Sequence, residues 1–249
     1  MLAIIGGSGL ARLPNLEVTG RKAAQTPYGE PSGALTLGRL RGREVVFLAR
    51  HGDEHTIPPH QVNYCANIWA LKEHGVRTVV AVAAVGGIRR EFGPGTLVLP
   101  HQIIDYTWGR RATFFEGADR AVTHIDFTEP YSAALRARIL AAARACGEAL
   151  AEGGVYAATQ GPRLETAAEI DRLERDGADL VGMTGMPEAS LAREAGLEYA
   201  ALAVVANHAA GRGESARAIS LEAVAAVLER SMARVRRILE QLVAERAAA

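Results

Sequence analysis

The sequence predicts an α/β fold in one domain that spans residues 1–249. Short apolar runs alternate with longer helical stretches, and no linker, repeat or low-complexity segment divides the chain. The short runs are rich in valine, isoleucine and alanine without polar alternation, which is typical of strands covered on both faces. Strands separated by helices favour a mostly parallel sheet, and ligands of such sheets bind at the carboxyl ends of the strands.

Seven short runs are predicted to be strands, and each is too short for a typical helix. In chain order they cover residues 2–5, 44–50, 78–85, 96–100, 154–159, 179–183 and 199–207.

Five helices are predicted between or after these strands, at about 60–74, 131–147, 165–176, 187–195 and 221–245. The last has the clearest pattern, because its apolar residues recur at spacings of three and four and Ser220 stands at the N-cap position. Such a helix is expected to pack on the sheet.

Charge and composition exclude several classes of function. Lysine plus arginine equals aspartate plus glutamate, at 28 each, so the chain gives no support to nucleic-acid or anionic-membrane binding. Cys65 and Cys146 match no metal or disulfide pattern. No apolar run reaches the roughly 20 residues of a membrane span, and no basic segment precedes the first strand. A cytoplasmic location is therefore expected.

The first strand runs into a glycine turn, Gly6-Gly7-Ser8-Gly9. Backbone N–H groups of such a turn can converge on an anion, and the Ser8 hydroxyl can add a donor. A dinucleotide fingerprint is excluded because Arg12 stands where its last glycine belongs. A tight turn needed only by the fold stays an alternative.

The second predicted strand ends at Arg50 and His51, within "ARHGDEHTIPPH". An arginine fork matches a tetrahedral oxyanion. The neighbouring Asp53, His55 and His60 raise a metal site as an alternative, but Gly52 and the proline pair indicate a loop rather than one helix face. No metal is expected, and a plain surface loop stays open.

Other predicted strands also end in residues that can contact a ligand. Gly86 and Gly87 allow close backbone approach, and Thr184 offers a hydroxyl. Asn207 ends the last strand, where a turn former is the simpler interpretation. Glu165 opens a predicted helix, where a carboxylate is favoured by the helix dipole alone.

These stretches together resemble the trimeric purine nucleoside phosphorylases, and most of all their methylthioadenosine phosphorylase branch. The resemblance covers nearly the whole chain, through "IIGGSGL", "TPYGEPS", "LARHGDEHTIPPHQVNYCANIWALKEHG", "THIDFTEPY", "QGPRLETAAEI" and "GMTGMPEASLAREAG". It implies a mixed, partly barrel-like β-sheet flanked by helices. It also implies attack of inorganic phosphate on the sugar C1′ of a purine nucleoside, with phosphate as co-substrate and no other cofactor.

The resemblance implies that the anion of the glycine turn is orthophosphate. By matching positions, it would be held by Ser8, Arg50, His51 and Thr184 and by the backbone at Ala83 and Ala84. The branch typically has threonine at the position of Ala83, so this chain lacks one hydroxyl donor there.

The base pocket departs from the methylthioadenosine branch, which carries serine at the position of Glu165 and aspartate at that of Asn207. A carboxylate accepts the N1–H of a 6-oxopurine but opposes N1 of adenine, and an asparagine amide can address O6 and N7. Leu164, His208 and Ala209 flank these two residues and are expected to contact the nucleoside.

The sugar end resembles the branch with a 5′-methylthio group. Met183 is expected to pack on the sugar, and Ile219, Leu221 and Val224 to line an apolar 5′ pocket, although ordinary helix packing explains the last three equally well. The resemblance further implies a homotrimer in which His124, in "THIDF", reaches the site of the adjacent subunit.

An oxopurine pocket beside a methylthio pocket implies 5′-methylthioinosine as the nucleoside. Three alternatives stay open: phosphorolysis of methylthioadenosine, a general inosine or guanosine phosphorylase, and a catalytically silent nucleoside-binding protein, to which only Ala83 points.

Overall fold

The computed structural model describes residues 1–117 and 121–245, which form an α/β fold around one mixed β-sheet. The strands within this part are β1 (Leu2–Gly6), β2 (Glu17–Lys22), β3 (Leu35–Leu40), β4 (Arg43–Ala49), β5 (Thr78–Gly87), β6 (Leu97–Leu99), β7 (Gln102–Asp105), β8 (Ala151–Glu152), β9 (Val155–Ala158), β10 (Leu180–Gly182) and β11 (Glu198–His208). The α-helices are α1 (Tyr64–Glu73), α2 (Ala133–Ala145), α3 (Ala167–Arg175), α4 (Glu188–Glu194) and α5 (Leu221–Ala244).

The sheet branches at β5. This strand pairs in parallel with β1 and β11 and antiparallel with β10. One series of paired strands runs β2-β3-β4-β1-β5-β10-β9-β7. In the other branch β5 pairs with β11, β11 with β6, and β6 with β8. The α/β fold with a mixed sheet is confirmed, and the described strands form an open, branched sheet rather than a closed barrel.

Seven of the strands coincide with the sequence predictions, and β2, β3, β7 and β8 were not predicted. The residues of β2 are exposed or only half-buried, so the strand has no apolar pattern to detect. β8 has two residues, fewer than any periodicity argument can use. The antiparallel β2–β3 ribbon forms one edge of the sheet.

The five predicted helices are present, and four begin with a polar cap. Asn63, Ser132, Thr166 and Ser220 each accept a hydrogen bond from the backbone N–H three residues later. Helix α1 starts at Tyr64 instead of about residue 60, because the Pro58–Pro59 stretch forms a separate 3-10 turn first.

Two large apolar clusters cover the sheet. Helix α5 packs with α2 on one of them, around Val235, Ile238 and Leu239, and the other contains α1 and α4 residues such as Ile68 and Leu191. No helix within the described residues is both long and apolar enough to cross a membrane. Helices on both faces leave the ends of β1, β4, β10 and β11 open.

Candidate active site

The strand ends meet around a cavity of about 360 Å³. Residues that follow β1, β4 and β10, the second half of β5 and the last part of β11 form its walls. Of the sixteen expected site residues, thirteen lie in this lining: Ser8, Arg50, His51, Ala83, Ala84, Leu164, Glu165, Met183, Thr184, Asn207, Ala209, Ile219 and Val224.

Three of the expected site residues lie outside this lining. Leu221 is 71% exposed, on the first turn of α5. His208 packs near Gly93 and Gly213, and its carbonyl accepts a hydrogen bond from Asn207. His124 is exposed on the segment between β7 and α2. The cavity of one chain therefore forms without these three side chains.

The glycine turn after β1 is required by close packing. A Cβ at Gly6 would lie 2.0 Å from the carbonyl oxygen of Leu10, and one at Gly7 would lie 2.8 Å from that of Val82 and 2.9 Å from Nη1 of Arg50. The fold thus explains both glycines. The turn also brings Gly7 and Ser8 to the cavity, so the two interpretations of this motif are compatible.

Arg50 is almost fully buried and is held by a carboxylate that sequence reasoning missed. Its Nε and Nη2 donate to Glu188 Oε2 at 2.6 Å and Oε1 at 2.8 Å, and its Nη1 donates to the Val82 carbonyl at 3.0 Å. Tyr199 also donates to Glu188, which is completely buried. Burial alone would lower the pKa of Arg50, but the Glu188 carboxylate raises it further than burial lowers it.

Glu188 was missed because it follows Pro187 at the start of a predicted helix. An acidic residue is ordinary at that position, so the sequence offered no signal for a buried ion pair. Three of the five N–H groups of Arg50 face Glu188 and Val82. The other two, one on each terminal nitrogen, are the ones that can face a ligand.

His51 is neutral near pH 7 in this environment. Burial and the adjacent Arg50 charge lower its pKa from 6.5 to about 4. Its Nδ1–H donates to the Ile57 carbonyl at 2.8 Å, since a carbonyl can only accept, and Nε2 of the neutral ring therefore carries the lone pair. Nε2 of His51 can therefore accept a hydrogen bond from a hydroxyl group of a ligand.

His55 completes this side of the cavity. Its ring centroid lies 4.7 Å from that of His51, and its Nε2 lies 3.4 Å from the Ser8 hydroxyl. The residue has φ of +55°, a conformation that is costly without glycine and concentrates at functional sites. Among the described residues, no group of three or more His, Cys, Asp or Glu side chains is arranged to hold a metal.

The opposite wall presents a carboxylate and an amide. Oε1 of Glu165 accepts a hydrogen bond of 2.6 Å from the Thr159 hydroxyl, and Nδ2 of Asn207 donates to the His208 carbonyl at 2.6 Å. The register of β11 shifts between Val205 and Asn207, which turns the amide toward the cavity. One carboxylate oxygen, the amide oxygen and the second N–H of the amide are left for hydrogen bonds to a polar ring.

The remaining wall is apolar. Ile219, Val224 and Leu228 line it from the start of α5 and the segment before it. Met183 also contributes, and a Cβ at Gly161 would come within 2.5 Å of the Met183 sulfur. One cavity thus combines hydrogen-bond donors for an anion, a carboxylate and an amide that can hydrogen-bond to a heterocycle, and an apolar wall.

Comparisons with known proteins identify a family model and several relatives that match this chain. A family model described as the Phosphorylase superfamily matches residues 1–244. The chain is 55% identical over 240 residues, 96% of this chain and 97% of the other, to a protein of Pseudomonas syringae pv. tomato named probable S-methyl-5'-thioinosine phosphorylase. It is 47% identical over 215 residues to the 6-oxopurine nucleoside phosphorylase of Pyrococcus furiosus, covering 84% and 80% of the two chains.

A solved structure shows the same fold. The methylthioadenosine phosphorylase of Schistosoma mansoni in complex with adenine superposes with a TM-score of 0.93 at 35% identity, covering 98% of this chain and 90% of that one.

Proposed function

From the membership of this chain in the Phosphorylase superfamily, we propose that it cleaves S-methyl-5'-thioinosine with inorganic phosphate, giving hypoxanthine and 5-methylthioribose 1-phosphate. The observation that carries the proposal is the placement of Glu165 and Asn207 on one cavity with both the anion donors and the apolar wall. The relatives named above support the same choice.

Phosphate is proposed to bind between the glycine turn and β5. Ser8, Thr184 and the two free N–H groups of Arg50 would donate to it, and the backbone at Ala83 and Ala84 would lie beneath it. Nε2 of His51 would accept a hydrogen bond from the hydroxyl of monohydrogen phosphate, because Nδ1–H of the same ring donates to the Ile57 carbonyl. The three unprotonated oxygens then remain for the donors and for the sugar carbon.

The reaction depends more on the positioning of its two reactants than on a strong acid. As the bond from C1′ to the purine nitrogen breaks, positive charge develops on the sugar and negative charge on the base. A phosphate oxygen held beside C1′ stabilises that cation and then bonds to it, while the electron pair of the broken bond moves into the purine ring. The purine anion takes up one proton, equal to the one that monohydrogen phosphate brings to the reaction, and leaves as neutral hypoxanthine. Holding both reactants in one cavity removes an entropic barrier of several kcal/mol, within the roughly 7–11 kcal/mol that ideal alignment supplies.

Glu165 and Asn207 would select a 6-oxopurine. The free carboxylate oxygen of Glu165 accepts the N1–H of hypoxanthine, whereas adenine would place a lone pair against it. The second N–H of the Asn207 amide would donate to N7 or O6 and so stabilise the negative charge that flows into the ring. Sites that pair with a substrate N–H reject the analogue lacking it by about 10⁴-fold or more.

The 5′ substituent would lie against Ile219, Val224 and Leu228. A thioether loses little on leaving water for such a wall, while a 5′-hydroxyl would lose its hydrogen bonds. This favours methylthioinosine over inosine.

A homotrimer is proposed because His124 is exposed and absent from the cavity of its own chain. In the trimer it would reach the 5′ end of the nucleoside bound to the adjacent subunit. Both cysteines are unpaired, which suits the cytoplasm, and no cofactor besides phosphate is proposed.

The deciding experiment compares methylthioinosine, methylthioadenosine and inosine at equal concentration, with and without phosphate, by the release of free base. We expect methylthioinosine to give the highest kcat/KM and no release without phosphate. Faster cleavage of methylthioadenosine would overturn the base assignment, and faster cleavage of inosine would overturn the apolar 5′ pocket. Absence of phosphate-dependent release from all three would indicate a binding protein.

A further inference from the structure

Arg110 makes an unusual set of contacts next to the cavity. It follows β7 and lies outside the cavity lining. Its guanidinium donates to four backbone carbonyls of two segments beside the site, to the Tyr64 hydroxyl and to the side-chain oxygen of Gln160, all of them neutral oxygens. Its Nη1 donates to the carbonyls of Met183 at 2.8 Å and Met186 at 2.6 Å. Its Nη2 donates to the carbonyls of Thr159 at 3.2 Å and Gln160 at 2.8 Å.

These carbonyls follow two adjacent strands, β9 and β10, and the Thr159 N–H already donates to the Gly182 carbonyl at 2.8 Å. Thr159 and Gln160 lead into Glu165, and the Thr159 hydroxyl also holds one Glu165 oxygen. Met183 lines the cavity, and Thr184 follows it directly. Beyond the end of this strand pair, a single guanidinium continues the link between the segment that carries Glu165 and the segment that carries Met183 and Thr184.

Two further contacts fix the orientation of the guanidinium. Nη1 lies 3.3 Å from the hydroxyl of Tyr64, whose own proton goes to the Pro59 carbonyl. Nε donates to the side-chain oxygen of Gln160 at 3.3 Å. A lysine at this position could offer three donors from one point, but it could not span four carbonyls in a plane.

We propose, resting on the phosphorolysis proposed above, that Arg110 is a positioning residue that sets the distance between the base-reading wall and the sugar–phosphate wall. Its contacts are with protein oxygens, so it acts through the placement of Glu165 and Met183. In a two-substrate displacement, misalignment raises the barrier of the chemical step more than it weakens the binding of either reactant, and an error of about 1 Å can cost about 10²-fold.

The test compares Arg110→Lys and Arg110→Gln with the wild type, using whichever nucleoside the wild type cleaves fastest. Failure of the proposed function then shows in the wild type, and failure of this inference shows in the variants. Arg111→Lys is the matched control, because Arg111 pairs with Glu116 at the surface. All rates are divided by the folded fraction at the assay temperature, measured by circular dichroism.

We expect kcat to fall about 10- to 100-fold in both variants, with KM for phosphate and for the nucleoside changing less than about threefold, and Arg111→Lys to match the wild type. Gln160→Met, which removes one side-chain acceptor and leaves Arg110 in place, should lower kcat in the same sense by a smaller factor. It also keeps the proposal testable if the Arg110 variants fail to fold. The proposal would be overturned if Arg110→Lys kept the wild-type kcat per folded molecule, or if Gln160→Met did so when it is the only variant that folds. It would also be overturned if the loss of kcat/KM came from a higher KM rather than from a lower kcat.

Discussion

Arg50 and Glu188 form a two-hydrogen-bond ion pair in the interior of the protein, with side chains 1% and 0% exposed. The pair joins the end of β4 to the start of α4. It leaves one N–H on each terminal nitrogen of the guanidinium for a ligand, because Glu188 and the Val82 carbonyl occupy the other three.

Replacing Glu188 with glutamine should destabilise the fold strongly. The change leaves a buried guanidinium without its counter-charge, which typically costs about 3–5 kcal/mol. Urea unfolding measures the loss. Glu91→Gln is the control, since its ion pair with Arg89 is at the surface and should contribute little to stability. Equal stability of the two variants would contradict the importance of the buried pair.

The double variant Glu165→Ser with Asn207→Asp should shift preference from methylthioinosine toward methylthioadenosine. It removes the acceptor for N1–H and supplies an acceptor for the 6-amino group. We expect the ratio of the two kcat/KM values to move by about 10²-fold or more, measured by base release. No gain on methylthioadenosine would count against the hydrogen-bond argument.

Asn207→Ala should lower turnover heavily while the fold stays intact. The amide lies half-buried at the end of β11, so its loss removes stabilisation of the leaving base without opening the core. Turnover and thermal unfolding are measured together. A variant with wild-type turnover would remove Asn207 from the mechanism.

His51 should make stability depend on pH below about 6.5. Its pKa is lowered to about 4 in the folded protein, so the unfolded chain binds the proton more readily between these values. The contribution of His51 to the free energy of unfolding is therefore greatest above pH 6.5. It decreases as the pH falls toward 4, by about 3 kcal/mol. Urea titrations across this range should show a flatter profile for His51→Gln.

The control for this titration is His60→Asn, which changes an exposed histidine and should keep the wild-type profile. If His51→Gln retained the full dependence, another group would be responsible for it.

The proposed trimer predicts complementation between two defective variants. The wild type should have a mass three times the 26.4 kDa of one chain, by light scattering. His124→Ala and Asn207→Ala should each have low activity alone. Co-expressed, they should regain activity, because about a quarter of the sites in randomly mixed cyclic trimers would pair an intact Asn207 with an intact His124 of the neighbour. If His124 served its own chain, mixing would restore nothing.

The sequence predicted the elements that have a strong apolar pattern. All seven predicted strands and all five predicted helices are present, because burial on both faces leaves long runs of valine and alanine. The edge strand β2 carries polar residues on both faces, so it shows no hydrophobic periodicity. β7 and β8 have only four and two residues, and β3 was missed although four of its six residues are buried.

Site residues were predictable where a strand stops. Arg50, Thr184 and Asn207 all reach the cavity. Glu188 and Arg110 were not predictable, since their roles depend on partners 138 and 73 residues away in the chain, such as Arg50 and the Met183 carbonyl. Leu221 was expected from the resemblance, and it lies outside the cavity lining of one chain, where it is 71% exposed.

Strand β5 has consequences for motion as well as for architecture. It pairs with β11 along its whole length, with β1 over residues 78–81 and with β10 at Gly86 and Gly87. Ala83 and Ala84 lie between the last two partners, so β11 alone pairs with them and their other edge stays open to a ligand. The β5 amides that bond to β11 should exchange with solvent only through large unfolding events, whereas the loops around Ile57, Leu164 and Ile219, which belong to no strand, should exchange sooner.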